Sequence, residues 1–177
     1  MKLVVLDRDG VINFDSVHFI KSTNEWIPIP GSLEAIALLN QSGYRVAIAT
    51  NQSGISRGLF DMVTLNAIHD KMHKALGQLG GRVDAMFYCP HSADDNCACR
   101  KPKPGMMEEI GRRFSQDMKG VPMVGDALRD LQAGAVLGMQ PMKVRTGKGE
   151  DTLVAGGLPE GTLVFADLAA AVQHIIS

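Results

Sequence analysis

A three-layer α/β domain with a mostly parallel sheet is the fold class that the sequence predicts, and three observations carry it. Short apolar segments alternate with amphipathic helical segments along the chain. The first of them, Leu3-Val4-Val5-Leu6, is an unbroken apolar run of the kind buried on both faces of a parallel sheet. Polar residues also fall where strands stop: Asp7 and Asp9 after the first, Thr50 after the second, Asp126 after the fourth. In open α/β sheets that is the end at which ligands bind.

The first strand ends at Asp7-Arg8-Asp9, and Gly10 lets the backbone turn tightly beyond it. Residues 13–30 have no clean period and read as a long loop or small flap. Ser32 suits the N-cap of a helix that buries Leu33, Ile36, Ala37 and Leu39 and stops at Gly43. A second strand covers 44–49, ends at Thr50 and leads into a Gly/Ser loop. The spacing of Leu65, Ile68, Met72, Ala75 and Leu79 predicts a helix over 62–79, ended by Gly80-Gly81. Strand 83–88 precedes a cysteine-rich loop, and Pro104 suits the first position of a helix to Phe114. Strand 121–124, helix 128–137, strand 141–144, a glycine-rich loop over 147–161, strand 163–165 and a helix capped by Asp167 complete the chain. No internal repeat or interdomain linker interrupts it, so residues 1–177 read as one domain.

Lysine plus arginine number 18 against 19 acidic residues, a net charge of -1. No basic arm supports nucleic-acid binding, and no apolar run approaches the ~20 residues of a membrane span. The N-terminal apolar stretch is too brief for a signal peptide, so the expectation is a cytoplasmic protein that binds no membrane. Three cysteines confined to 89–99 are not a disulfide framework.

Carboxylates at the ends of buried strands are unfavourable unless a cation sits among them. Asp7, Asp9 and Asp126, with Asp130 one helical turn further on in support, offer the oxygens that suit Mg²⁺. Two aspartates one residue apart can divide a reaction, one attacking and the other serving the leaving group. A phosphate under attack by an anion needs its oxygens held, work for which Thr50 and a lysine are suited. An aspartate acting as an acid near neutrality needs a raised pKa, which a neighbouring carboxylate would supply.

Asp7-Arg8-Asp9-Gly10-Val11, Thr50-Asn51, a later lysine and Gly125-Asp126 with Asp130 resemble, in order, the four motifs of the haloacid dehalogenase-like phosphatases. The resemblance implies a Rossmann-like phosphomonoesterase that uses Mg²⁺. In it Asp7 attacks phosphorus, and Asp9 protonates the leaving alcohol and then acts as base on water.

Cys89, His91, Cys97 and Cys99 are a Cys₃His set that suits structural zinc and would pin a loop lacking a core. That loop runs straight into Arg100-Lys101-Pro102, and together with Thr50 to Ile55 and Arg145-Thr146-Gly147-Lys148 it is similar to the D-glycero-D-manno-heptose 1,7-bisphosphate 7-phosphatases. The narrower resemblance implies Lys101 as the lysine that stabilises the phosphoryl group and Arg100 as the contact of the sugar's other phosphate. It implies that Asp15 to His18 and Thr50, Asn51, Gln52 and Ser53 line the substrate, and that no large cap domain is present. The implied partner is a small phosphosugar, and the protein is expected to be a monomer acting in lipopolysaccharide heptose synthesis. Histidinol phosphate is the rival substrate, since its phosphatases carry a similar zinc loop, and a non-catalytic phosphosugar-binding domain is the rival of another class.

One departure is Ala127, where these enzymes often have lysine; Lys103 and Arg129 are the cations nearby in sequence. His69-Asp70-Lys71-Met72-His73 imitates a zinc-protease helix but has Asp for Glu, and reads as a solvated helix face. Gly147-Lys148-Gly149 lacks the Ser or Thr of a P-loop, and the ten methionines read as core filler.

Overall fold

The computed structural model describes residues 2–177. Six strands form one sheet: β1 (Lys2–Leu6), β2 (Tyr44–Asn51), β3 (Ala85–Cys89), β4 (Pro122–Gly125), β5 (Gln140–Val144) and β6 (Leu163–Phe165). Their order is β3-β2-β1-β4-β5-β6, and every pairing is parallel. The order reverses beside β1, whose neighbours are β2 and β4, so the switch-point crevice opens at the end of β1 that carries Asp7.

Alternation along β1 explains its unbroken apolar run. Val4 and Leu6 join the core on one face, with Leu33, Ile36 and Leu39 of α1 (Ser32–Gln41), Ile68 and Met72 of α2 (Met62–Gln78), and Leu168 and Val172 of α6 (Leu168–Ile176). Leu3 and Val5 join the core on the other face, with Met107, Ile110 and Phe114 of α3 (Gly105–Phe114) and Ala133 of α4 (Leu128–Ala135). The strand is covered on both sides, as a central parallel strand must be.

Several element ends differ from the sequence-based expectation, each for a local reason. Gly31, with φ of 88°, precedes α1, and Ser32 lies inside the helix with its hydroxyl donating to the Val11 carbonyl at 2.8 Å. Pro104 is the cap of α3 and not its first residue. α2 stops at Gln78, which leaves Leu79 exposed. The glycine-rich 147–161 segment contains a short helix, α5 (Gly149–Ala155), where a loop was expected. His69 is buried at 7% exposure while Asp70, Lys71 and His73 are exposed, so only part of that helix face is solvated.

The 13–30 segment is anchored at its far end. Ile20, Trp26 and Ile29 are buried, and Lys71 Nζ donates to the Thr23 and Trp26 carbonyls at 2.7 and 2.8 Å. Its first residues, Phe14 to His18, lie at the surface beside the crevice. No second layer of structure caps the sheet end among the described residues, and none of their helices is long and apolar enough to cross a membrane.

Candidate active site

Each acidic group is delivered by a strand end or the helix that follows it. Asp7 continues β1, its N–H donating to the Val124 carbonyl of β4 at 2.9 Å, and Asp126 follows β4. Asp130 sits in the first turn of α4, where its Oδ2 accepts the Ala127 N–H at 3.1 Å. Oxygens of Asp7, Asp126 and Asp130 all come within 4.8 Å of one another.

Lys101 is the cation built into this cluster. Its side chain is 1% exposed, and its Nζ lies 3.0 Å from Asp7 Oδ1, 2.6 Å from Asp130 Oδ1 and 2.7 Å from the Ala49 carbonyl. Asn51 fixes its backbone through a two-way amide pairing at the end of β2, with 3.1 Å in each direction.

One buried lysine does not balance three buried carboxylates. Burial first, and then the charge of Asp130, hold the Asp7 carboxyl well above the usual carboxylate range despite Lys101. Burial and Asp130 likewise push Asp126 up to about 6. Burial also disfavours the charge on Asp130, but Lys101 and Arg129 outweigh it and lower the pKa. The set therefore fits Mg²⁺: Asp7 and Asp126 carry the uncompensated charge a hard dication would relieve, with Asp130 in support.

Asp9, expected among the magnesium ligands, has its carboxylate outside that cluster. Its Oδ1 accepts from Arg8 Nε at 2.8 Å and Asn13 Nδ2 at 2.9 Å, and its Oδ2 accepts from Gln52 Nε2 at 3.2 Å. Burial alone would raise its pKa, but Arg8 and these hydrogen bonds outweigh burial and lower it. The expectation of a raised value is thereby overturned: the nearest charge is a guanidinium and not another carboxylate.

A cavity of about 220 Å³ opens above these groups. Asp7, Asp9, Asp15, Thr50, Asn51, Ser53, Arg100, Lys101 and Asp126 of the expected set line it. His18 is exposed and lies outside the lining, where its neighbours Ser16, Val17 and Phe19 take part. Gln52 also lies outside, buried behind Thr50, to whose Oγ1 it donates at 2.9 Å while its amide reaches Asp9.

Two cations of the lining, Arg57 and Lys148, had no role assigned from the sequence, and a third, Arg129, was a candidate substitute for the lysine missing at Ala127. Arg57 lies over the Phe19 ring at 5.6 Å, and Lys148 Nζ lies 3.5 Å from Asp15 Oδ2. Arg129, one of the two cations noted beside Ala127, has a buried Nε without a hydrogen-bond partner. The other, Lys103, instead bonds Asn96 Oδ1 and the Cys97 carbonyl at 3.1 and 2.8 Å within the cysteine loop. The glycine-lysine loop discounted as a P-loop also serves the site, since the Lys148 N–H donates to Asp126 Oδ2 at 2.8 Å.

Backbone closeness makes that bond possible. Gly10 (φ 83°) and Gly147 (φ 58°) meet over Asp126, and a β-carbon on either would strike its carboxylate. The Thr146 hydroxyl closes the contact by donating to the Gly10 carbonyl at 2.6 Å.

Next to the cavity, Cys89, His91, Cys97 and Cys99 converge. Cys89 and Cys97 sulfurs are 3.5 Å apart, Cys97 and Cys99 sulfurs 3.6 Å, and His91 Nδ1 is 3.5 Å from Cys89 and 3.4 Å from Cys99. Tetrahedral zinc with Zn–S bonds of ~2.3 Å holds sulfurs ~3.8 Å apart; the four spacings above suit a closed structural zinc site, while the Cys89 and Cys99 sulfurs, at 2.8 Å, are closer than that and would open around the ion. Arg100, immediately after the last ligand, donates to the His91 carbonyl at 3.3 Å.

Comparison with known proteins agrees with this geometry. A HAD-hydrolase-like family model matches residues 98–171. The chain is 62% identical over 176 residues to the D-glycero-beta-D-manno-heptose-1,7-bisphosphate 7-phosphatase of Bordetella bronchiseptica, covering 99% of this chain and 98% of that one. It is 52% identical to the enzyme of the same name from Pseudomonas aeruginosa, covering 98% and 97%. The crystal structure of the B. bronchiseptica phosphatase with magnesium and phosphate superposes with a TM-score of 0.98, covering 99% and 98% at 62% identity. That of the Burkholderia thailandensis enzyme gives 0.81 at 56% identity, covering 100% and 99%. With its parallel sheet, strand-end aspartates and Cys₃His loop, the chain belongs to the D-glycero-D-manno-heptose 1,7-bisphosphate 7-phosphatase family of haloacid dehalogenase-like phosphatases.

Proposed function

We infer that this chain, acting as one domain over residues 1–177, removes the 7-phosphate of D-glycero-D-manno-heptose 1,7-bisphosphate with Mg²⁺, through a phosphoryl group carried on Asp7. The observation that carries the reading is the position of Asp7. It is a buried carboxylate 3.0 Å from Lys101 Nζ, beside Asp126, at the floor of a cavity also lined by Arg57, Arg100, Arg129 and Lys148. A catalytic cation cluster with further cations beyond it suits a substrate bearing two phosphates.

Asp7 and Asp126 would hold the magnesium, which when bound neutralises charge between the attacking carboxylate and the phosphate. Asp7 attacks phosphorus, the bond to the sugar oxygen breaks, and that oxygen takes a proton from Asp9. Asp9 is an anion when the cavity is free of substrate. The arriving phosphate brings negative charge beside it and raises its proton affinity, which loads it as the acid. The same carboxylate then removes a proton from the water that attacks the aspartyl phosphate, releasing phosphate and restoring Asp7. Lys101 and the Thr50 hydroxyl hold the phosphoryl oxygens, and Gln52 orients both Thr50 and Asp9 from behind.

Arg100 is assigned to the sugar's second phosphate. Arg129 takes the place of the cation missing at Ala127, because its Nε lacks a partner whereas Lys103 is committed to the cysteine loop. Asp15, Asn51 and Ser53 complete the substrate contacts, and His18 reaches the sugar only if the 14–18 segment shifts toward the cavity. The protein is read as a cytoplasmic monomer that supplies nucleotide-activated heptose synthesis for lipopolysaccharide.

Phosphate release from the β anomer of the heptose bisphosphate and from histidinol phosphate, each with Mg²⁺, tests the reading. The sugar should be preferred by at least about a hundredfold in kcat/KM, since paired cations left without the second phosphate lose their interaction. A preference for histidinol phosphate would sink it.

A further inference from the structure

Arg8 stands between the two aspartates of the first motif, and its side chain is fully buried at 0% exposure. Its Nε and Nη2 each lie 2.8 Å from Asp9 Oδ1. On its other side Nη1 lies 3.1 Å from Nε2 of His69, on the buried face of α2 and outside the cavity lining.

A guanidinium has only donors, so His69 Nε2 is the acceptor and the ring is neutral with its proton on Nδ1. The surroundings enforce that state. Burial, the charge of Arg8 and that of His73 on the same helix together outweigh Asp9 and lower the His69 pKa to about 3. The imidazole is therefore a permanent acceptor at working pH.

Among the described residues Arg8 has no other acceptor on that side. Without His69 its Nη1 would be an unpaired buried donor, and the guanidinium would lose the contact that fixes its plane. Asp9 would then keep only Asn13 and Gln52 to hold its carboxylate.

We propose that His69 is a positioning residue for this reaction: its neutral imidazole orients Arg8, and Arg8 in turn holds Asp9 in the rotamer that faces the cavity. The inference rests on the proposed role of Asp9 but not on the identity of the sugar. His69→Leu removes the acceptor, His69→Gln restores an oxygen at the reach of Nε2, and His69→Asn offers one only at the reach of Nδ1. With the heptose bisphosphate, His69→Leu and His69→Asn should lower kcat roughly tenfold to a hundredfold with KM changed less than about twofold, and His69→Gln should recover most of kcat.

With an aryl phosphate, whose leaving group needs no proton, the first-turnover burst of phenolate release should stay within about threefold of the parent in all variants, because only the later hydrolysis of the aspartyl phosphate calls on Asp9 as base. Equal kcat in the Gln and Asn variants, or an aryl phosphate burst slowed as much as heptose bisphosphate turnover, would overturn the proposal and leave His69 a packing residue. If His69→Leu does not fold, the Gln and Asn pair decides alone. Should the parent protein fail on heptose bisphosphate, the substrate assignment falls. The same three variants are then compared on the phosphomonoester it does hydrolyse.

Discussion

Lys101 carries more of the site's electrostatics than any other residue. Among the described residues it alone is in ion-pair contact with both Asp7 and Asp130, and it is buried with them. Lys101→Met should lower kcat/KM by about 10²–10³ through loss of a phosphoryl contact, and should destabilise the fold by ~3–5 kcal/mol by stranding buried carboxylates. Denaturant melts and steady-state kinetics measure the two effects. Asp7→Asn should behave oppositely: turnover falls below detection, while metal-free stability at pH 7.5 is unchanged or higher, because a carboxyl with a raised pKa is strained as an anion. Residual turnover above about a thousandth of the parent would refute the nucleophile assignment. At this scale the legible residues were those whose chemistry sits at strand ends. His69 was not legible, because on an amphipathic helix it borders the apolar stripe and only the tertiary structure reveals Arg8 opposite it.

Among the elements, the cysteine loop has the clearest division between structure and chemistry. Its four candidate ligands lie outside the cavity lining, yet the chain leaves the last of them directly into Arg100 and Lys101. Purified protein should contain about one zinc per chain by elemental analysis. Cys97→Ser should lose most of it and lower both Tm and kcat/KM, with added Mg²⁺ failing to restore activity; full activity without zinc would separate the loop from the site. The helix α5 was illegible because the glycines around it dominate the local pattern. Its use follows from the backbone: Gly147 turns the chain so that the next N–H meets Asp126. Ser32 misled for a similar reason, since its hydroxyl serves the Val11 carbonyl and not a helix end.

For the molecule as a whole, the sheet order gathers the acids on one crevice, and their charge couples metal binding to stability. The Asp126 carboxyl, at about 6 in the native protein, binds a proton there that the unfolded chain, with a pKa near ~3.9, does not. Its contribution therefore favours the fold at low pH and is lost as pH rises through 6, and Asp7 acts in the same direction. Mg²⁺ requires the ionised forms, so its effect is opposite. Millimolar Mg²⁺ should raise Tm clearly at pH 7.5 and little at pH 5, as thermal melts at both values would measure. Equal shifts at the two pH values would reject the assigned ligands. The layer architecture was legible because strand and helix periods alternate cleanly; the strand order, which brings β4 beside β1, was not, because pairing over that distance leaves no local mark.

That strand order also governs when the site comes into being. Asp7 and Lys101 are 94 residues apart in the chain, and Asp126 is further on still. Closing loops of that length is slow relative to the local pairing of β1 with β2 and β2 with β3. A chain emerging from the ribosome therefore presents its nucleophile long before the lysine and the second metal carboxylate. During synthesis the polypeptide holds only part of a magnesium site, and phosphatase activity begins only when β4 docks, which makes turnover a late marker of completed folding.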